Sequence, residues 1–185
     1  MSERQFKPVR DSKVTLSQLM LPSHANFSGK IHGGYLLSLL DQVAFASASK
    51  FSGYYCVTAS VDTVDFLAPI EIGELVTLKA SVNYAGKSSM VVGIRVTAEN
   101  ITTGSVKHCN SSYFTMVAKD ETGAKALVPG LLLSSPEEVR RYHHALQRIE
   151  RRQASITEEA AFDHLSDHAF AKLSDHAVKI SFPKK

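Results

Sequence analysis

Hydrophobic and polar residues alternate along two neighbouring stretches near the middle of the chain. Apolar side chains occupy every second position from Val76 to Tyr84 and again from Met90 to Ala98. This period of two predicts two half-buried β-strands, and the short segment around Gly86 predicts that a hairpin joins them. Similar runs bounded by turn residues predict further strands over Tyr55–Leu67 and Val106–Ala118.

A helical pattern precedes these strands. The segment Tyr35–Lys50 carries apolar residues on nearly every face of a helix, which predicts a buried helix ending near Gly53. A short strand or extended segment is expected before it, over Val14–Leu21. One long helix followed by four antiparallel strands in a meander predicts an α+β fold.

One carboxylate, Asp41, lies in the middle of the predicted helix. An ionised carboxylate that is buried without a partner costs several kcal/mol. We therefore expect Asp41 either to be satisfied by a nearby group, such as backbone of the sheet or a loop, or to be functional.

The sequence divides into three parts. Residues 1–13 form a polar lead-in, residues 14–133 hold the predicted helix and strands, and residues 134–185 are expected to be a helical extension that is partly disordered. A helix start is predicted at Ser135, with proline at the first helical position and Glu138 completing a capping box.

Composition excludes several classes of protein. An apolar fraction of 44% in 185 residues supports a packed core, and a net charge of +3 without a polybasic run argues against nucleic-acid binding. No segment is long enough to span a membrane, and the polar N-terminus has no apolar signal region, so a cytoplasmic location is expected. Cys56 and Cys109 are interpreted as buried thiols in strands.

Three segments together resemble the hotdog-fold acyl-CoA thioesterases. They are Ala-Asn-Phe-Ser-Gly-x-x-His-Gly-Gly at 25–34, VTASVDTVDFLAPIEIGELV at 57–76 and VNYAGKSSM at 82–90. The resemblance covers roughly Leu16 to Pro129 and is to the bacterial single-hotdog group related to the cytosolic animal enzymes. It implies a sheet wrapped around a central helix and a homo-oligomer, at least a dimer and often a trimer of dimers.

The resemblance identifies Asp41 as a catalytic carboxylate. It would act as a general base on water or as a nucleophile through a mixed anhydride, and the sequence leaves both routes open. Asn26 resembles the asparagine that works with this carboxylate in a site shared between two hotdog units; the alternative is an asparagine that only forms a turn. Because a thiolate leaves readily, one base and one oxyanion site can suffice.

Gly33 and Gly34 are candidates for the oxyanion site. The N-terminus of a helix exposes N–H groups without partners, and these carry partial positive charge. Two glycines at that end allow a substrate carbonyl to approach the backbone. The alternative is that they only form a tight turn from the loop into the helix.

The resemblance also implies that Lys87, Ser88 and Ser89 contact coenzyme A. The lysine offers a cation, and the serines offer hydroxyl and N–H groups to phosphate or pantetheine. Related enzymes often carry arginine at the position of Lys87, and lysine keeps the charge but not the bidentate geometry. The alternative is an ordinary polar hairpin turn.

Other polar residues are given no catalytic role. His24 and His32 flank the glycine-rich loop and are left out of the catalytic set, and Ser60 is a weak candidate for lining an acyl pocket. In the extension, His164 and His168 have a spacing that would suit zinc, beside Asp163, Asp167 and Asp175. A solvated histidine-rich tail is the preferred interpretation, so no metal or other cofactor is predicted.

The predicted function is hydrolysis of fatty acyl-CoA to free fatty acid and coenzyme A. Two alternatives remain. A hydroxyacyl-thioester dehydratase on the same fold would need a His/Glu pair, whereas the helix offers Asp41 without a companion histidine. A non-catalytic module would bind acyl-CoA and tolerate loss of Asp41.

Overall fold

The computed structural model describes residues 4–173 and 176–181. The chain forms two units, Met1–Ala145 and Leu146–Lys185. The first unit contains strands β1 (Phe6–Pro8), β2 (Val14–Leu19), β3 (Tyr55–Val61), β4 (Glu74–Ala85), β5 (Ser89–Asn100), β6 (Val106–Lys119) and β7 (Gly130–Leu132), helix α1 (Gly33–Ser52), and short 3-10 helices at Val9–Ser12 and Pro22–His24. Helix α2 (Pro136–Ala161) begins in this unit, and α3 (Asp167–Lys172) lies in the second.

Five strands form one antiparallel sheet in the order β2-β4-β5-β6-β3. Helix α1 packs against this sheet, and apolar side chains between them form the core. The largest fully buried side chains include Leu36, Leu40, Phe51, Leu78, Phe114 and Met116. A long helix packed on an antiparallel sheet confirms the predicted α+β fold.

The predicted meander of four strands is correct only for β4, β5 and β6. Strand β3 pairs with β6 at the far edge of the sheet and is not adjacent to β4. Strand β3 ends at Val61, earlier than predicted. Residues 62–73 then connect it to β4. A short hairpin joins two strands that are adjacent in a sheet, whereas a connection of this length allows the two strands to lie apart. Strand β3 is therefore an edge strand.

Helix α1 extends beyond both predicted ends, and Gly53 closes it with φ of 78°, a left-handed conformation that glycine adopts readily. The prediction that α1 is buried on all faces is wrong. Leu37, Asp41 and Phe45 are exposed on one stripe, because the sheet covers only the opposite side of the helix. The carboxylate of Asp41 is thus not a buried charge within the single chain.

The N-terminal residues pack on the sheet despite their polar composition. Val9 and Ser12 are buried, and β1 pairs in parallel with β7. The Ser12 hydroxyl accepts a hydrogen bond from the N–H of Val82 at 2.9 Å, and its carbonyl accepts one from the Ser47 hydroxyl at 2.7 Å. This segment thereby links β4 to α1.

The helix start predicted at Ser135 is present. The Ser135 hydroxyl accepts a hydrogen bond from the N–H of Glu138 at 3.3 Å, while the Glu138 carboxylate accepts one from the N–H of Ser134 at 2.7 Å. The reciprocal bond of the capping box therefore falls one residue earlier than predicted. In the second unit, Ser166 caps α3 by accepting a hydrogen bond from the N–H of Ala169 at 3.2 Å.

The histidine-rich extension shows no metal-binding geometry in the part of the chain that the structure describes. Asp175, one of the residues considered for such a site, lies outside the described residues. Over the same described ranges, no helix is both long and apolar enough to cross a membrane.

Candidate active site

Asp41 meets a threonine on the edge strand. Its carboxylate, in the third turn of α1, accepts a hydrogen bond from the Thr58 hydroxyl on β3, with Oδ1 and Oγ1 2.5 Å apart. The pairing of β3 with β6 shifts register between Thr58 and Ser60, and such bulges often redirect side chains beside active sites. The contact holds one carboxylate oxygen in place while the Asp41 side chain remains exposed to solvent.

Sequence analysis does not single out Thr58. A threonine in an alternating strand resembles an ordinary surface position. The period of two, however, places Thr58 on the same face as the buried Cys56, and therefore toward α1. That alternation, combined with a carboxylate on the facing helix, is the sequence signal that would have identified it.

Gly33 and Gly34 are the first two residues of α1, and His32 is its N-cap. The N–H of Gly34 donates to Nδ1 of His32 at 2.9 Å, so this N–H is occupied. No hydrogen bond of the described residues uses the N–H of Gly33. Of the two predicted oxyanion donors, the Gly33 N–H is thus the one left open, and the His32 ring is held as an acceptor at Nδ1.

Gly33 also borders an apolar cavity of about 390 Å³. A Cβ at Gly33 would lie 3.3 Å from the ring of Phe66, so the glycine lets this ring approach the start of the helix. Leu36 and Ile70 are among the other lining residues, whereas Ser60 is not. The structure therefore puts an apolar space beside the open N–H, lined by the segment after β3 rather than by Ser60.

Asn26 forms a tight turn at the start of the glycine-rich loop. Its side-chain oxygen accepts hydrogen bonds from the N–H and hydroxyl of Ser28, at 3.0 and 2.8 Å, and from the N–H of Lys30 at 3.2 Å. No described hydrogen bond joins Asn26 to Asp41. The adjacent Phe27 is fully exposed. Within a single chain, Asn26 is therefore a turn-forming residue on an exposed loop.

The loop is anchored to its surroundings at both ends. The His24 ring stacks on the Tyr35 ring with centroids 3.9 Å apart, and the His32 N–H donates to the carbonyl of His24 at 2.9 Å. Lys30 forms an ion pair with Glu71, with Nζ 2.6 Å from Oε1. The position of Asn26 is thus fixed relative to the N-terminus of α1.

Lys87, Ser88 and Ser89 lie at the β4–β5 hairpin. No hydrogen bond of the described residues joins them to Asp41 or Asn26. The carbonyl of Lys87 accepts the N–H of Val128 at 3.0 Å, and the carbonyl of Ser88 accepts the N–H of Ala118 at 2.9 Å. The Lys87 side chain is exposed. The hairpin therefore has a backbone fixed by its neighbours and a cation that is open to solvent.

Neither cysteine is suited to nucleophilic catalysis. Cys56 and Cys109 are both buried and unpaired. Burial raises the pKa of the Cys109 thiol, and nearby Lys107 only partly offsets this effect. A raised pKa disfavours the thiolate, which is the nucleophilic form.

Known proteins match both this sequence and this fold. The Thioesterase superfamily profile matches residues 28–105. Protein VdlD of Helicobacter pylori is 45% identical over 141 residues, which are 76% of this chain and 80% of that protein.

Solved structures also superpose on the chain. A hexameric acyl-CoA thioesterase has 36% identity and a TM-score of 0.80, covering 86% of this chain and 99% of that one. The acyl-CoA hydrolase of Staphylococcus aureus, solved with butyryl-coenzyme A, coenzyme A and coenzyme A disulfide, has 35% identity and a TM-score of 0.78, covering 84% and 94%. This chain therefore belongs to the thioesterase superfamily, within its hotdog-fold acyl-CoA thioesterases.

Proposed function

We propose that this protein hydrolyses the thioester of fatty acyl-CoA to free fatty acid and coenzyme A, with Asp41 as the catalytic carboxylate. The observation that carries the proposal is the 2.5 Å hydrogen bond from Thr58 to Asp41 on an exposed stripe of α1. A carboxylate fixed at one oxygen and accessible at the other can take a proton from water or attack a carbonyl.

Related structures support this choice of residues. The Staphylococcus aureus hydrolase has been solved as variants in which an asparagine, an aspartate or a threonine is replaced by alanine, the asparagine variant with coenzyme A bound. In that enzyme the aspartate follows the asparagine by 15 positions and precedes the threonine by 17. Asn26, Asp41 and Thr58 have the same two spacings.

The chemistry requires one proton acceptor and one site for the developing oxyanion. With Thr58 on one oxygen of Asp41, the other oxygen is available for water in the general-base route or for the thioester carbon in the anhydride route. The Gly33 N–H is the oxyanion donor in this proposal, since the His32 ring occupies the Gly34 N–H. The thiolate product needs little acid assistance, because its pKa is about 8.5 for an ordinary thiol.

The site is completed by a second copy of the chain. Apolar side chains flank Asp41 on the surface: Leu37 and Phe45 on α1 and Tyr55 on the edge strand, where the rings of Phe45 and Tyr55 lie 5.6 Å apart in a T-shaped contact. An apolar rim around a carboxylate beside an open strand edge favours burial by a partner. In the proposed dimer, Asn26 of one protomer serves Asp41 of the other.

A trimer of such dimers is the proposed assembly, supported by the similarity to a hexameric acyl-CoA thioesterase. Lys87, Ser88 and Ser89 are proposed to contact the coenzyme A moiety. Support comes from the exposed ammonium of Lys87 on a hairpin with a fixed backbone. An ammonium group attracts phosphate as a point charge.

Coenzyme A release from a panel of acyl-CoAs, followed with a thiol reagent, tests the proposal. Asp41→Asn is expected to lower kcat about 100-fold or more, as for loss of a general base, while retaining fold and coenzyme A binding. Asp11→Asn is the matched control, since Asp11 is exposed and pairs only at 3.9 Å with Arg10. A folded wild type that binds coenzyme A but hydrolyses no member of the panel would instead identify a binding module.

A further inference from the structure

The side chain of Arg4 joins two segments that are distant in the sequence. Arg4 is half-buried just before β1, and its Nε atom lies 3.1 Å from the carbonyl oxygen of Val128. Its Nη2 atom lies 2.5 Å from the carbonyl oxygen of Gly86, and 3.4 and 3.3 Å from those of Ala85 and Pro129. One guanidinium group therefore links the end of β4 to the segment that leads into β7.

The backbone next to Arg4 is held in place independently of its side chain. The carbonyl of Gln5 accepts a hydrogen bond from the N–H of Gly130 at 2.8 Å, and β1 continues this contact as a parallel pair with β7. The Phe6 ring lies over Gly130, where a Cβ would come within 2.5 Å of it. Because glycine leaves room for this ring, the two segments pack closely, and Arg4 starts from a fixed backbone.

Arg4 completes the set of donors that hold the turn between β4 and β5. The carbonyls of residues 87–89 accept hydrogen bonds from backbone N–H groups, those of Val128, Ala118 and Gly86, at distances of 2.8 to 3.0 Å. The carbonyl of Gly86 accepts instead from the Arg4 side chain. Removal of the guanidinium group would therefore take the donor from a half-buried carbonyl at the first residue of the turn.

The backbone of this turn decides where the Lys87 ammonium group can reach. The Lys87 side chain is exposed, and a lysine side chain is a flexible stem with a charge at its end. The part that the fold can preorganise is thus the backbone from which the stem starts. A preorganised backbone reduces the entropy that is lost when the ammonium group meets a ligand. Arg4 holds this backbone at Gly86, directly before Lys87.

We propose that Arg4 is a positioning residue for coenzyme A binding, which holds the β4–β5 turn so that Lys87 meets the coenzyme A moiety. This inference rests on the proposed function and on the proposed contact of Lys87. A guanidinium group suits the task because it presents five N–H donors in a rigid fork, whereas an ammonium group is a compact point charge. Arg4 acts on the substrate through Lys87 and not through a contact of its own.

Steady-state hydrolysis of two thioesters tests the inference. One is an acyl-CoA from the panel, and the other is the N-acetylcysteamine thioester of the same acyl group, which lacks the nucleotide and its phosphates. Arg4→Gln is expected to raise KM for the acyl-CoA about tenfold and to leave kcat within about twofold of the wild type, because it weakens binding and not the chemical step. The kcat/KM for the N-acetylcysteamine thioester should stay at the wild-type value.

Two further variants separate the fork of Arg4 from its charge. Arg4→Lys keeps the positive charge but loses the fork, so it is expected to raise KM nearly as much as Arg4→Gln. Arg10→Gln is the matched control, because Arg10 is in the same N-terminal segment, its side chain is 80% exposed, and it pairs only at 3.9 Å with Asp11. This control removes one positive charge near the N-terminus and should leave KM unchanged.

A double-mutant cycle tests whether Arg4 and Lys87 act together. Substitutions of two residues that act through one another are not additive. Arg4→Gln should therefore raise KM less in a Lys87→Gln protein than in the wild type. The Kd of coenzyme A, measured by calorimetry, should follow the same pattern and does not require turnover.

Four results would overturn the inference. The first is an Arg4→Gln protein with the KM of the wild type. The second is an Arg4→Lys protein with the KM of the wild type, which would show that charge alone suffices. The third is an equal loss of activity with both thioesters, which would indicate general damage to the fold. The fourth is an effect of Arg4→Gln that is undiminished in the Lys87→Gln protein.

Failure of the proposed thioesterase activity gives a different result. The wild type then hydrolyses neither thioester, whereas the Kd of coenzyme A still rises in Arg4→Gln if Arg4 positions the turn. A wild type that neither hydrolyses acyl-CoA nor binds coenzyme A would overturn both proposals. If Arg4→Gln does not fold, Arg4→Lys provides the same comparison with the charge retained.

Discussion

The side chain of His32 caps helix α1 by accepting a hydrogen bond from the N–H of Gly34 at 2.9 Å. A Cβ at Gly34 would lie only 2.8 Å from the same ring. Glycine at this position is therefore explained by the space that the cap needs rather than by a positive φ, which Gly34 does not have. The cap also fixes the backbone at the open Gly33 N–H.

Replacement of Gly34 by alanine is expected to displace the His32 ring and to lower the free energy of unfolding by about 1 kcal/mol or more, the usual cost of losing an N-cap. Urea unfolding measures this change. His32→Asn is the matched control, because asparagine is a strong N-cap and should retain most of the stability, whereas His32→Leu should not. A Gly34→Ala protein that unfolds at the wild-type urea concentration would show that the cap contributes nothing.

Thr58→Val is expected to lower kcat by about tenfold to a hundredfold with little change in KM, because it removes a hydrogen bond to a charged group without changing the side-chain shape. Steady-state hydrolysis of an acyl-CoA measures both constants. Thr58→Ser should restore most of the rate, since it keeps the hydroxyl that donates to Asp41.

The control for this prediction is Thr77→Val. Thr77 is also a strand threonine, on β4, and its hydroxyl contacts that of Ser17 on the edge strand β2 at 3.0 Å. This variant should retain wild-type kinetics. If Thr58→Val hydrolyses acyl-CoA at the wild-type rate, the threonine does not position the carboxylate.

Local patterns predict much of this fold. The hairpin of β4 and β5 follows from alternation and a short turn, both of which are properties of neighbouring residues. The position of β3 in the sheet does not follow from local patterns, because its pairing with β6 joins segments that are distant in the sequence. Strands β1 and β7 are only three residues each, too short for a periodic pattern to appear.

The candidate site divides in the same way. Asp41 can be identified from the sequence because it is a carboxylate within an apolar helix. Gly33 and Gly34 can be identified because they lie at the start of that helix. The exposure of the stripe that contains Asp41 cannot be predicted from the sequence. An apolar residue on a helix has the same sequence pattern whether the sheet covers it or the single chain leaves it exposed. Thr58 becomes a candidate only when the alternation of β3, which puts it on the face of Cys56, is considered together with the carboxylate on α1.

The two thiols are expected to be unreactive in the folded protein. Burial raises the pKa of Cys109 and shields both cysteines, so neither should react quickly with a thiol reagent near neutral pH. Addition of guanidinium chloride should expose two reactive thiols per chain. The absorbance of the chromophore that the reagent releases measures the number of reacted thiols in the native and in the unfolded protein. A fast reaction in the native state would show that one of these strands opens readily.

The ion pairs of Glu137 predict a pH-dependent contribution to stability. Hydrogen bonds from Arg140 and then Arg141 lower the pKa of Glu137 to about 2, from an ordinary value of 4.5. A carboxylate with a lower pKa in the folded state stabilises the fold above its unfolded pKa, and the contribution is lost as pH falls through the folded pKa. Because Glu137 is exposed, solvent screening keeps this contribution small.

Urea unfolding of the wild type and of Glu137→Gln at several pH values measures this effect. The wild type should be the more stable protein at pH above about 4.5, and the difference should shrink to nothing as the pH approaches about 2. Added salt should reduce the difference, since exposed ion pairs are screened. Glu121→Gln, which removes an exposed carboxylate outside the ion pairs of the described chain, is the control for loss of one negative charge. A difference between wild type and Glu137→Gln that stays constant across the range would mean that the two arginines do not stabilise the ionised form of Glu137 in the fold.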